Sequence, residues 1–174
     1  LEIDATKLEN EIGLVQEVSP LLGEKLTQAL AQTLAFAQDY PAMPLCFSHG
    51  DYTYTQLIFD GNKAGLGDFD TICQAEPALD LGQFLAYQRL TIIKDHPSLH
   101  DTVNRLSDIF LDTYIAESHG WVHDEQLLRA RVSVYELISL IRLVLHSWQK
   151  IKGSRLKLAL SIFEERYSWL RQVS

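Results

Sequence analysis

From Ala78 to Val173 the chain keeps a helical period with hardly a break, and this commits most of it to packed helices. Apolar side chains return every three or four residues through stretches of about Ala78–Ile93, Leu99–Glu117, Asp124–Lys150 and Arg155–Val173, punctuated by Gly120 and Gly153. The third stretch is apolar on several sides, at Leu127, Leu128, Val132, Tyr135, Ile138, Ile141, Val144, Leu145 and Trp148, the pattern of a helix covered all round. Upstream, Leu26, Leu30, Leu34 and Ala37 form a stripe that predicts a helix over about Gly23–Tyr40, which stops at Pro41.

Between these helical regions the texture changes. Leu45-Cys46-Phe47 reads as a short strand, Ser48–Thr55 as a loop, and Gln56–Phe59 with Lys63–Gly67 as a hairpin closed across Asp60-Gly61-Asn62. The expected fold is mainly α with a small β-hairpin insert (α+β), and 174 residues suffice for one domain. Apolar residues at 47% and charged residues at 22% exclude general disorder. The net charge of −8 is the wrong sign for binding phosphate backbones, so no nucleic-acid partner is expected.

Two cysteines, Cys46 and Cys73, are too few for a zinc ribbon or a disulfide scaffold, and both are expected to be buried and inert in a reducing cytoplasm. No run of about 18 apolar residues predicts a membrane span, and no basic-then-apolar opening predicts a signal peptide, so no membrane partner is expected. The chain starts at Leu1 without an initiator Met, which suggests excision from a longer polypeptide.

The polar residues of the insert carry the chemistry. They read Ser48-His49-Gly50-Asp51, Gln56, Gly67-Asp68-Phe69-Asp70 and Glu76-Pro77-Ala78-Leu79-Asp80. Two loops flanking one hairpin each present a carboxylate, Asp51 and Asp68, the outline of a metal and proton-transfer site. Phosphoryl transfer needs a carboxylate at the nucleophilic hydroxyl, an acidic ligand for Mg²⁺ and a second oxygen ligand a few residues beyond the base. Asp51, Asp68 and Gln56 can fill these three roles.

This ordered set resembles the C-terminal lobe of the aminoglycoside phosphotransferase and choline kinase group, whose fold is protein-kinase-like. That group's signature runs His-Gly-Asp, four residues, Asn, then an Asp between apolar residues; the protein-kinase form is H-R-D-x-x-x-x-N followed by D-F-G. The resemblance spans about Phe47–Phe84. It implies Asp51 as the catalytic aspartate, Gln56 and Asp68 as metal ligands, and His49 and Asp80 as supports of the catalytic loop. It also implies ATP and Mg²⁺ as cofactors and a small-molecule hydroxyl as acceptor, on an aminoglycoside, sugar or amino alcohol.

Two departures qualify the match. Gln56 stands where the family has Asn, one methylene longer, as the maltokinase-like group is similar in doing; this tilts the acceptor towards a sugar. The second is a missing nucleotide-binding half. Gly65-Leu66-Gly67 has Asp70 where G-x-G-x-x-G needs Gly, and Lys94 reads as a helix-end lysine, so no residue here is assigned to ATP binding. The resemblance therefore implies that residues 1–174 are a catalytic and substrate lobe whose N-terminal ATP-binding lobe lies upstream, inactive alone. The alternative is a non-catalytic, pseudokinase-like helical module that binds a protein partner.

Other groups are excluded. Ser48, His49 and Asp51 lie too close on one loop to converge as a triad, and no G-x-S-x-G elbow is present. His119 and His123 flank Gly120 and Trp121, and His96 and His100 straddle Pro97; all read as solvated loops. Gln83, Tyr87, Asp112 and Glu136 are unranked polar positions for a substrate cleft.

Overall fold

The computed structural model describes residues 2–173. The chain divides into two compact units, one of Leu1–Asp39 with Leu137–Ser174, the other of Tyr40–Glu136.

The first unit is helical. It holds α1 (Glu2–Val18), α2 (Pro20–Gln38), the later part of α5 (Glu125–Gln149) and α6 (Gly153–Val173). Ala5, Leu8, Ile12 and Val15 recur at spacings of three and four along α1 and are all buried. Periodicity alone places the first helix at Gly23; the structure adds α1 and begins α2 at Pro20, whose fixed φ suits a first helical turn. Gly23 permits α1 and α2 to touch, since a Cβ there would lie 2.4 Å from the Gln16 Cβ. Phe163 of α6 is fully buried and stacks on Tyr167, whose hydroxyl donates to Gln32 of α2.

The second unit carries the β structure. β1 (Cys46–Ser48) pairs antiparallel with β4 (Cys73–Ala75), and β2 (Leu57–Asp60) with β3 (Lys63–Leu66). Gly61, with φ +58°, makes the two-residue turn between β2 and β3 as the Asp-Gly signal predicts. β4 lies outside the sequence-based expectations. It places Cys73 opposite Ser48 with its side chain exposed, and Cys46 is only half-buried, which corrects the expectation of two buried thiols.

Three helical segments complete this unit: α3 (Ala78–Asp95), α4 (Val103–Glu117), reached through a 3-10 turn at Pro97–Thr102, and the start of α5. Their core joins Leu81, Phe84 and Leu85 to Leu111, Leu128, Val132 and Tyr135. The rings of Tyr52, Phe84 and Phe110 stack in series, with centroids 5.3 and 4.6 Å apart. A Cβ on Gly82 would lie 2.6 Å from the Glu136 nitrogen, so α3 and α5 meet backbone to backbone there.

Two buried ion pairs lock the unit. Glu76, 5% exposed, accepts two bonds from Arg131, 4% exposed, and further bonds from the Tyr135 hydroxyl and the Met43 amide. Burial, then the Glu76 carboxylate, pushes the Tyr135 hydroxyl well above its ordinary range, so it remains a donor. Arg89 pairs with Glu136 and reaches Asn104. Among the described residues, no helix is long and apolar enough to cross a membrane.

Candidate active site

The site is built on the loop after β1, and Asp80 shapes that loop. Asp80 lies in the first turn of α3, and its carboxylate accepts the His49 amide at 2.7 Å and the Gly50 amide at 2.9 Å. Two successive backbone donors on one ionised acceptor fix the path of the chain just before Asp51. Gly50 completes the turn at φ +81°, where a Cβ would sit 2.2 Å from the Thr71 carbonyl oxygen. Only glycine fits there.

His49 ties this loop to the Asp68 loop. Its ring, 2% exposed, places Nε2 2.9 Å from the Gly67 carbonyl oxygen. A carbonyl only accepts, so Nε2 carries the hydrogen, and Nδ1 is buried without a partner among the described residues. The Thr71 hydroxyl donates to the His49 carbonyl at 2.9 Å, and the ring lies 5.2 Å from that of Phe69. His49 is thus tied at its carbonyl and at its ring to the segment that holds Asp68.

Hairpin register brings the last pair together. Leu57 faces Leu66, so the Gly67 amide donates to the Gln56 carbonyl at 2.9 Å. One residue on, the Gln56 Nε2 lies 3.1 Å from Asp68 Oδ2. Asp68 itself adopts φ +63°, an uncommon conformation for a residue with a side chain, and its carboxylate is exposed. A half-turn of the Gln56 amide exchanges nitrogen for oxygen and sets an amide oxygen beside a carboxylate oxygen. This donor set suits a hard cation that keeps waters and takes further oxygens from phosphate, which is the habit of Mg²⁺.

Asp51 is half-buried, and its Oδ1 accepts the Gln83 Nε2 at 2.7 Å. Gln83 follows Asp80 by three residues, on the same face of α3, so one helical turn holds both the loop backbone and the Asp51 side chain. Of the four unranked cleft positions, Gln83 is bonded to the candidate site. Asp112 pairs with Arg129, and Glu136 is committed to Arg89.

Behind the loop lies a cavity of about 280 Å³, bounded by Cys46, His49, Tyr52, Leu66, Phe110 and Tyr114. Burial, with Asp80 adding to it, raises the Tyr52 hydroxyl above its ordinary value. Tyr114 is raised by burial, then by Cys46 and Asp80. Both phenols stay protonated at neutral pH.

The family model described as "Phosphotransferase enzyme family", APH, matches residues 4–126. The chain belongs to this phosphotransferase family.

Solved structures agree on the fold. The Plasmodium vivax ethanolamine kinase superposes with a TM-score of 0.57 at 14% identity, covering 93% of this chain and 48% of that one. The choline kinase of Cryptosporidium parvum Iowa II gives 0.53 at 14% identity, covering 97% and 54%. The chain therefore has the α-rich lobe of the kinase-like fold and spans about half the length of these structures. Comparison with curated protein sequences finds no match.

Proposed function

We propose that these residues form the catalytic and acceptor-binding lobe of an ATP- and Mg²⁺-dependent phosphotransferase acting on a hydroxyl of a small molecule. The observation that carries the proposal is the linkage of the Asp51 loop to the Gln56–Asp68 pair through His49, with Asp80 holding the loop amides. In this scheme Asp51 orients the acceptor hydroxyl and takes its proton. The acceptor oxygen bonds to the γ-phosphorus, the bond from that phosphorus to the β–γ bridging oxygen breaks, and its electron pair leaves with ADP. Gln56 and Asp68 would hold Mg²⁺, which neutralises charge on the phosphates. His49 and Asp80 support the loop without touching the reacting atoms.

The nucleotide-binding lobe is placed upstream of Leu1 in the same polypeptide. Three observations support this. The chain spans about half of its structural neighbours, and Gly65-Leu66-Gly67, its one Gly-x-Gly, is taken up by β3 and the Asp68 loop. Apolar Phe47, Ile58 and Phe59 of the strands, with Phe69 and Ile72, are exposed in the unit that carries the site, as expected of a surface that another lobe covers. A cytoplasmic setting fits an exposed free thiol at Cys73. Gln56, as in the maltokinase-like group, favours a sugar among the possible acceptors.

The test is phosphorylation of a panel of sugars, aminoglycosides and amino alcohols by the polypeptide that contains this chain and its upstream region. Asp51→Asn and Asp68→Asn are each expected to lower turnover by about 100-fold or more. Full activity in either variant would refute its assignment. Turnover by residues 1–174 alone would refute the two-lobe arrangement. Absence of Mg²⁺-dependent nucleotide binding in the longer polypeptide, measured by calorimetry, would favour a non-catalytic module that binds a protein partner.

A further inference from the structure

Gln83 is 7% exposed, and only one end of its amide is used. Nε2 donates to Asp51 Oδ1 at 2.7 Å, whereas Oε1 is enclosed with no hydrogen-bond partner among the described residues. Buried amides ordinarily satisfy both ends, and a buried carbonyl left unpaired is less stable than an apolar group of the same shape. The fold therefore gains little from glutamine at this position. Neighbouring Phe84, Leu85 and Leu81 show that an apolar side chain is at home on this part of α3.

What the amide does is hold a carboxylate. Among the described residues it is the one side chain seen hydrogen-bonded to Asp51. A half-buried aspartate with one oxygen pinned has a fixed rotamer, and its other oxygen, Oδ2, then points in one direction. Asp80 fixes the backbone before Asp51 and Gln83 fixes the side chain, both from one turn of one rigid helix.

We propose that Gln83 is a positioning residue for phosphoryl transfer: it pins Asp51 Oδ1 so that Oδ2 is presented to the acceptor hydroxyl. This rests on Asp51 being the base, as proposed above. Loss of the bond leaves ground-state binding intact and spoils the alignment that matters in the transition state, so it acts on kcat and not on KM.

The experiment compares Gln83→Met, similar in length and apolar, with the unaltered long polypeptide and with Asp51→Asn. Turnover, KM for acceptor and ATP, and melting temperature are measured for each. For Gln83→Met we expect kcat to fall about 10- to 100-fold, KM values to stay within about twofold, and the melting temperature to hold or rise. Unchanged kcat in a folded variant overturns the proposal. So does a fall in kcat that comes with a melting temperature several degrees lower, because the role is then structural; Gln83→Leu repeats the comparison with a branched side chain and must agree. If Asp51→Asn turns over normally, the assignment of the base fails first. Active wild type, inactive Asp51→Asn and normal Gln83→Met isolates failure of the Gln83 role alone.

Discussion

Asp80→Ala removes the acceptor for two consecutive backbone amides, and its size follows from the geometry. The bonds from His49 and Gly50 are 2.7 and 2.9 Å long and end on an ionised acceptor. Bonds to charged groups contribute about 1.5–3 kcal/mol each, or about 3–6 kcal/mol together. Asp80 is half-buried, so water recovers part of this, and about 2–3 kcal/mol is the expected net loss of local stability. At 1.4 kcal/mol per factor of ten, the two amides should exchange about 30- to 150-fold faster with deuterated solvent. Asp80 also lies in the first turn of α3, where its charge favours the helix dipole by about 0.3–1 kcal/mol, an effect that would speed exchange along α3 by no more than about fivefold. Residue-resolved hydrogen exchange separates the two. Equal acceleration at His49, Gly50 and the α3 amides would refute the bracing role, and no acceleration at His49 and Gly50 would refute it outright.

Glu76→Gln leaves the Arg131 guanidinium buried without its countercharge, and urea unfolding should show a loss of about 3–5 kcal/mol; a loss under about 1 kcal/mol would contradict the burial seen at the pair. Gln56→Asn shortens the side chain by one methylene, so an amide that now meets Asp68 at 3.1 Å falls short. The Asn variant should need about tenfold more Mg²⁺ for half-maximal turnover, and a lower Mg²⁺ requirement would show that the loop is not sized to glutamine. His146, although exposed, is held below its ordinary value of 6.5 by partial desolvation, then by the charges of Arg155, Lys152 and Lys150. The unfolded chain therefore takes up the proton more readily, and this contribution to stability is present above about pH 6.5 and lost as pH falls through the folded value. Urea midpoints between about pH 5 and 7.5 should fall less on acidification for His146→Gln than for the unaltered protein, and parallel curves would refute the coupling.

Much of the site was legible because its chemistry is written over short distances. Asp60-Gly61-Asn62 closes the hairpin, and a two-residue turn sets the pairing of Leu57 with Leu66. That pairing puts Gln56 beside Asp68, so a one-residue slip of the hairpin would turn the two side chains to opposite faces and separate them. The motif spacing that suggests a metal pair is therefore a statement about hairpin register. What the sequence hides is contact across long separations. β4 is three residues long, too short for any periodicity to show, and exists through pairing with β1 some 27 positions earlier. Cys73, opposite Ser48 on that strand, is exposed despite its apolar neighbour Ile72. α1 has a legible stripe in Ala5, Leu8, Ile12 and Val15, yet only Ser19-Pro20 marks its separation from α2. Gln83, Asp112 and Glu136 look alike as polar residues on apolar helices. Their partners distinguish them: an arginine neutralises each of the two carboxylates, whereas the uncharged amide turns its one used end to Asp51. Helical spacing from Asp80 already put Gln83 on the face that carries the loop, and the carboxylate it meets there is the one to which the motif assigns the proton.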